Sequence, residues 1–198
     1  MKPDSTKNKI FTLQVLSLLL LLSLSTTALA HPGHSFGGIG SGLLHPFSGL
    51  DHLLAMLAVG LWAGQHGSSR VWLLPAVFMS LLATGAGIAL LLPSLPLIET
   101  GITASVLVLG LIIALSLQLP ATLAIALTAL FGFIHGYAHG VEMPGMASPA
   151  MYAIGFITAT ATLHFTGAAL GLLARARFAH WTQAGGAMIA LAGIWMLS

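Results

Sequence analysis

The chain has 198 residues, 57% of them hydrophobic and only 5% charged, with a mean hydropathy of +1.00, whereas soluble domains carry about 25% charged residues. That composition excludes an ordinary soluble domain and reads as an all-α membrane protein. Cysteine is absent, which excludes both a disulfide framework and a thiolate metal site.

The first element is a targeting segment. Lys2, Lys7 and Lys9 precede an apolar run from Ile10 to Leu24, and small residues follow at Ala28 and Ala30. The run falls short of the roughly 20 residues that span hydrocarbon, so the pattern predicts a secretory signal peptide cleaved after Ala30. The expected boundaries are 1–30 for the signal, 31–44 for an extracytoplasmic tail starting at His31, and 45–198 for the transmembrane domain. Without the signal, Arg70, Arg175 and Arg177 balance Asp51, Glu99 and Glu142. The sequence pI near 9.4 then belongs to the signal, and no basic surface for nucleic acid remains.

Six apolar stretches follow, about His45 to Ala63, Val71 to Leu92, Leu97 to Leu117, Pro120 to Gly140, Ala150 to Ala174 and His180 to Leu197. Each is about long enough for a transmembrane helix, and the short connections leave no room for a soluble domain, so the expectation is one compact six-helix bundle. A cleaved signal puts His31 outside the cytoplasm and the first, third and fifth connections inside. Arg70 lies in the first connection, and Arg175 and Arg177 in the fifth, as the positive-inside tendency requires. The C-terminus, Ser198, is then extracytoplasmic as well. Three helices per half also implies two halves of opposite sense, as in transporters built from inverted repeats, although no repeat is visible residue by residue.

The polar residues inside these stretches carry the chemistry. Near the end of the fourth stretch, His135, His139 and Glu142 lie at offsets of four and three and share one helix face. Gly132, Gly136 and Gly140 form a small-residue stripe beside them that lets another helix approach. The first stretch opens with "HPFSGLDH", in which His45 and His52 are seven apart on one face of a straight helix. Pro46 suits a first helical turn, and Asp51 points elsewhere, toward a histidine or another helix. The first helix enters from the outside and the fourth exits there, so both clusters are expected at one depth. His45, Asp51, His52, His135, His139 and Glu142 together suit a divalent transition metal held by imidazole nitrogen and carboxylate oxygen, without selecting among nickel, zinc, copper and iron. A single histidine in a membrane helix is often interhelical hydrogen-bonding glue. Six ionisable residues at one level are costly and mark a site or a path; a proton relay through Asp51 and Glu142 is the functional alternative.

Other features are weaker. His164 stands about 14 residues into the fifth helix, roughly 21 Å along its axis, as either glue or a second station toward the cytoplasm. His31 and His34, in the "HPGH" that cleavage exposes, are candidates for capturing metal at entry. His66, His180 and Glu99 read as interfacial, and Met143, Met146 and Met151 as flexible packing.

At the two motifs the sequence resembles the HupE/UreJ family of bacterial membrane proteins. The pattern H-P-x-x-G-x-D-H is matched by His45, Pro46, Gly49, Asp51 and His52. A second, F-H-G-x-A-H-G-x-E, is matched by His135, Gly136, Ala138, His139, Gly140 and Glu142, with Ile134 replacing its phenylalanine. The resemblance implies passage of nickel, or cobalt, from periplasm to cytoplasm across the bacterial inner membrane, and an indirect link to the maturation of hydrogenase and urease. The metal is then substrate, and no prosthetic group is implied. The expected function is transport rather than an enzymatic reaction. The alternatives are an intramembrane metal-dependent hydrolase and a metal-binding accessory protein without flux. Expected partners are the metal ion and the lipid bilayer, with homo-oligomerisation left open.

Overall fold

The computed structural model describes residues 38–67, 71–92, 95–142 and 148–198. The expected signal peptide, His31, His34, Arg70, Met143 and Met146 lie outside the described residues, and of Glu142 only the backbone lies within them. All regular structure among the described residues is helical: α1 Ile39–Ser48, α2 Leu50–His66, α3 Leu73–Ala89, α4 Ile98–Ala114, α5 Ala121–Glu142, α6 Pro149–Arg177 and α7 Ala179–Leu197. Ala121–Val141 and Pro149–Arg175 are long and apolar enough to cross a membrane, and α1 with α2 makes a third candidate if the bent pair is one span. α3 and α4 are shorter apolar helices.

The first expected helix is corrected. It begins at Ile39 rather than His45, takes in residues 39–44 that read as tail, and turns through 86° between Ser48 and Leu50. Gly49 makes the corner in an extended conformation, φ −104 and ψ 120. Pro46 does not start a helix; it sits inside α1 near its end, where it has no N–H to donate to the carbonyl four residues back. A Cβ at Gly49 would come within 2.8 Å of Asp51 Oδ1 and 3.1 Å of His52 Nδ1, so the missing side chain lets the Asp51–His52 pair fold back over the corner.

Three close helix pairings hold the bundle: α6 with both α1 and α2, α3 with α5, and α4 with α7. Counting α1 and α2 as one, the first helix pairs with the fifth, the second with the fourth and the third with the sixth. Exchanging the first three for the last three leaves that pattern unchanged, the relation expected of an inverted repeat. Backbone contact makes the pairings. A Cβ at Gly60 would run into the His164 carbonyl, and one at Gly167 into the Leu57 carbonyl. The stripe of Gly132, Gly136 and Gly140 presses on Phe78, Leu82 and Ala86 of α3, so the helix it lets approach is α3. Stripe and histidines occupy neighbouring faces of α5, and each face takes a different partner.

Met56, Val59 and Trp62 of α2, Phe78 of α3 and Val106, Leu109 and Ile113 of α4 form a fully buried centre. Large apolar side chains such as Leu91, Leu173, Leu191 and Trp195 face outward, each 64% exposed or more, the pattern of a bundle solvated by lipid.

Candidate metal centre

The corner at Gly49 places His45 on α1 and His52 on α2 so that their rings meet edge to face at 6.1 Å between centroids. α5 brings His139 against both, 4.7 Å from His45 and 4.5 Å from His52, and His135 to 5.2 Å from His52. Four imidazoles from three helices thus form one continuous cluster. His135 and His139 are 0% and 2% exposed, while His52 keeps 12%.

Hydrogen bonds fix what two of the rings offer. Asp51 Oδ1 accepts from both the backbone N–H of His52 and its Nδ1, each at 2.7 Å. His135 Nδ1 donates to the Phe131 carbonyl at 2.8 Å. A neutral imidazole whose Nδ1 carries the hydrogen presents a lone pair at Nε2. Nε2 of His52 and of His135 is buried and has no hydrogen-bond partner among the described residues. A second nitrogen held by an acceptor while the first stays open is the usual state of a metal-ligating histidine. Asp51, placed among the metal ligands by its residue type, stands here as the group that orients His52. Among the described residues, no three His, Asp or Glu side chains form a ready-made metal-holding group. The rings pack on one another.

Aromatic side chains that the motifs did not indicate wall the cluster. Tyr152 and Phe156 of α6 lie 5.7 and 6.0 Å from His45, and Phe156 lies 4.2 Å from His139. Phe78 of α3 lies 5.4 Å from His135. A signal for the first two exists in the sequence: Tyr152, Phe156, Thr160 and His164 recur at every fourth position, so the face of His164 continues toward the cluster. Nothing local marks Phe78 among the apolar residues of α3.

His164 is 1% exposed and lies apart from the four-ring cluster, its Nδ1 donating to the Met56 carbonyl at 2.7 Å. Glu99 is exposed in the first turn of α4. His66 Nδ1 donates to the Trp62 carbonyl at 3.0 Å, at the far end of α2. At that end the Arg175 side chain lies against Gly67, so the histidine cluster and this arginine occupy opposite ends of α2.

Comparison with known proteins agrees over nearly the whole chain. The profile of the HupE / UreJ protein family matches residues 19–196. Protein HupE of Rhizobium leguminosarum bv. viciae is 39% identical over 189 residues, covering 93% of this chain and 97% of that protein. No solved structure matches. The four-imidazole cluster is therefore set in a chain that belongs to the HupE/UreJ family.

Proposed function

We propose that the protein is a permease that carries a divalent transition-metal ion, nickel first and cobalt second, from periplasm to cytoplasm through six membrane spans. α1–α2 supplies one span and α3 to α7 the other five; at about 1.5 Å per residue the 17-residue helices α3 and α4 are roughly 25 Å long, near the lower limit for a crossing. The single observation that carries the reading is the pair of buried imidazoles, His52 and His135, each with Nδ1 held and Nε2 without a partner among the described residues. His45, His52, His135 and His139 partly replace the ion's water shell, Asp51 orients His52, and Glu142 adds a carboxylate at the end of α5. Nickel is the choice of metal because members of this family are associated with nickel supply. The chain holds no G-x-x-x-x-G-K-[ST] loop, so flux is passive or coupled to an ion gradient.

The test is entry of nickel into proteoliposomes without an energy source, for wild type and His139→Ala, with cobalt and zinc as competitors. Entry by wild type that is lost in the variant supports a passive permease, and the competition order ranks the metals. Absence of entry both with and without an imposed proton gradient would turn the reading toward a metal-binding accessory protein. Protons compete with metal for imidazole, so uptake at pH 5.5 is expected to be slower than at pH 7.5. Equal rates at the two values would argue against histidine ligation.

A further inference from the structure

α6 carries a buried stripe, Tyr152, Phe156, Thr160 and His164, each 2% exposed or less. Its first two members touch the histidine cluster. The last two lie deeper, His164 being about 12 Å along the axis from Phe156 at ~1.5 Å per residue.

The threonines of this helix provide an internal control. Thr158, Thr162 and Thr166, on its exposed faces, each donate to the carbonyl four residues back, at 2.7, 2.8 and 2.8 Å, the common way for a helical hydroxyl to satisfy itself. Buried hydroxyls elsewhere also bond within their own helix, Ser105 to the Ile102 carbonyl three residues back at 2.6 Å and Thr128 to the Ala124 carbonyl four back at 2.8 Å. Thr160 differs: it is fully buried, and its Oγ1 has no hydrogen-bond partner among the described residues. One turn further on, His164 is anchored to α2 through Nδ1, and its Nε2 also has no partner among the described residues. Interhelical glue needs only the Nδ1 bond. It does not account for two buried heteroatoms, one helical turn apart in sequence, that have no partner among the described residues, at about 1–3 kcal/mol each.

The surroundings connect this pair with the cluster. The ring of Phe78 lies 5.4 Å from that of His135 and 5.1 Å from that of His164. A pocket of about 210 Å³, open to the outside between the exposed rings of Trp72 and Phe165, reaches His164 but neither Thr160 nor the cluster.

We propose that Thr160 Oγ1 and His164 Nε2 form a second, interior station for the divalent transition-metal cation, which reaches it from the four-imidazole cluster. The proposal rests on the permease reading above. One nitrogen and one oxygen donor, with water completing the shell, hold an ion weakly. Conduction requires such weak binding at successive sites, since an ion held tightly would not leave.

The experiment measures nickel flux into proteoliposomes together with nickel bound at equilibrium, for wild type, Thr160→Val, Thr160→Ser, His164→Ala and His139→Ala. Thr160→Val, nearly the same shape without the hydroxyl, is expected to reduce flux roughly tenfold or more, in the range seen when metal-site partners are lost. Thr160→Ser is expected to keep most of the flux, and His164→Ala to lose it. Nickel binding at the outer cluster should persist in all three, which also reports that they are folded. Equal impairment by Thr160→Val and Thr160→Ser would assign Thr160 to packing and overturn the proposal. Wild-type flux in Thr160→Val and His164→Ala, with loss in His139→Ala, would overturn the interior station and leave the outer reading standing. Wild-type flux in His139→Ala as well would overturn both.

Discussion

The two ends of α2 use polar side chains in opposite ways. At the arginine end, Gln65 donates to the Ile113 carbonyl at 3.2 Å and to the Ser116 hydroxyl at 3.0 Å, and Gln183 of α7 donates to that same hydroxyl at 3.1 Å. Donors from two helices converge on the segment after α4, and of this knot only Gln65 Oε1 is buried without a partner among the described residues. At the histidine end, Nδ1 of His52 and of His135 is secured, while Nε2 of each is buried without a partner among the described residues. The first arrangement uses nearly all its polar atoms to join helices; the second leaves a buried nitrogen on each of two rings without a partner among the described residues.

The comparison can be broken by substitutions whose effects fall on different readouts. The largest expected effect is that of His139→Ala, which removes the ring touching both His45 and His52. Nickel uptake should fall about 100-fold, the upper range for loss of a metal-site group, with the unfolding midpoint little changed. A large drop in the midpoint with uptake retained would make the histidines glue. Asp51→Ala comes next. Freeing His52 Nδ1 should reduce nickel affinity about tenfold, read by equilibrium binding, and Asp51→Asn, which still offers an acceptor oxygen, should recover part of it. Gly136→Ala acts on packing, because its Cβ would meet the Leu82 carbonyl. It should destabilise the bundle by about 1–3 kcal/mol in a denaturant titration, with nickel affinity preserved in the folded fraction. The smallest effect belongs to Gln183→Ala: about 0.6 kcal/mol, the usual worth of an interhelical hydrogen bond in a membrane, and uptake unchanged. Failure of uptake there would give the arginine end a part in transport.

Much of the site was legible because its spacing is local. His135 and His139 share a face by helical periodicity alone, and the structure places both in the cluster. The expectation that His45 and His52 reach the same level is met by contact, but by another route. On a straight helix they share a face; here they face each other across a right-angled corner. Nothing in "HPFSGLDH" distinguishes a proline that opens a helix from one that closes the helix before it. That choice depends on α1 seating on α6, where a Cβ at Gly42 would strike the Tyr152 carbonyl. The glycine-rich stretch from Ile39 reads as tail because glycine disfavours helix, and tertiary packing overrides that preference. The partner of the α5 glycine stripe was hidden for a similar reason: a stripe of small residues permits close approach without naming what approaches.

The most direct test of the central claim, that these imidazoles are ligands rather than glue, is the X-ray absorption spectrum of nickel bound to the lipid-reconstituted protein. The account predicts a nitrogen-rich first shell with the multiple-scattering pattern of imidazole rings, diminished in His139→Ala. An all-oxygen shell, or a spectrum unchanged by that substitution, would contradict it.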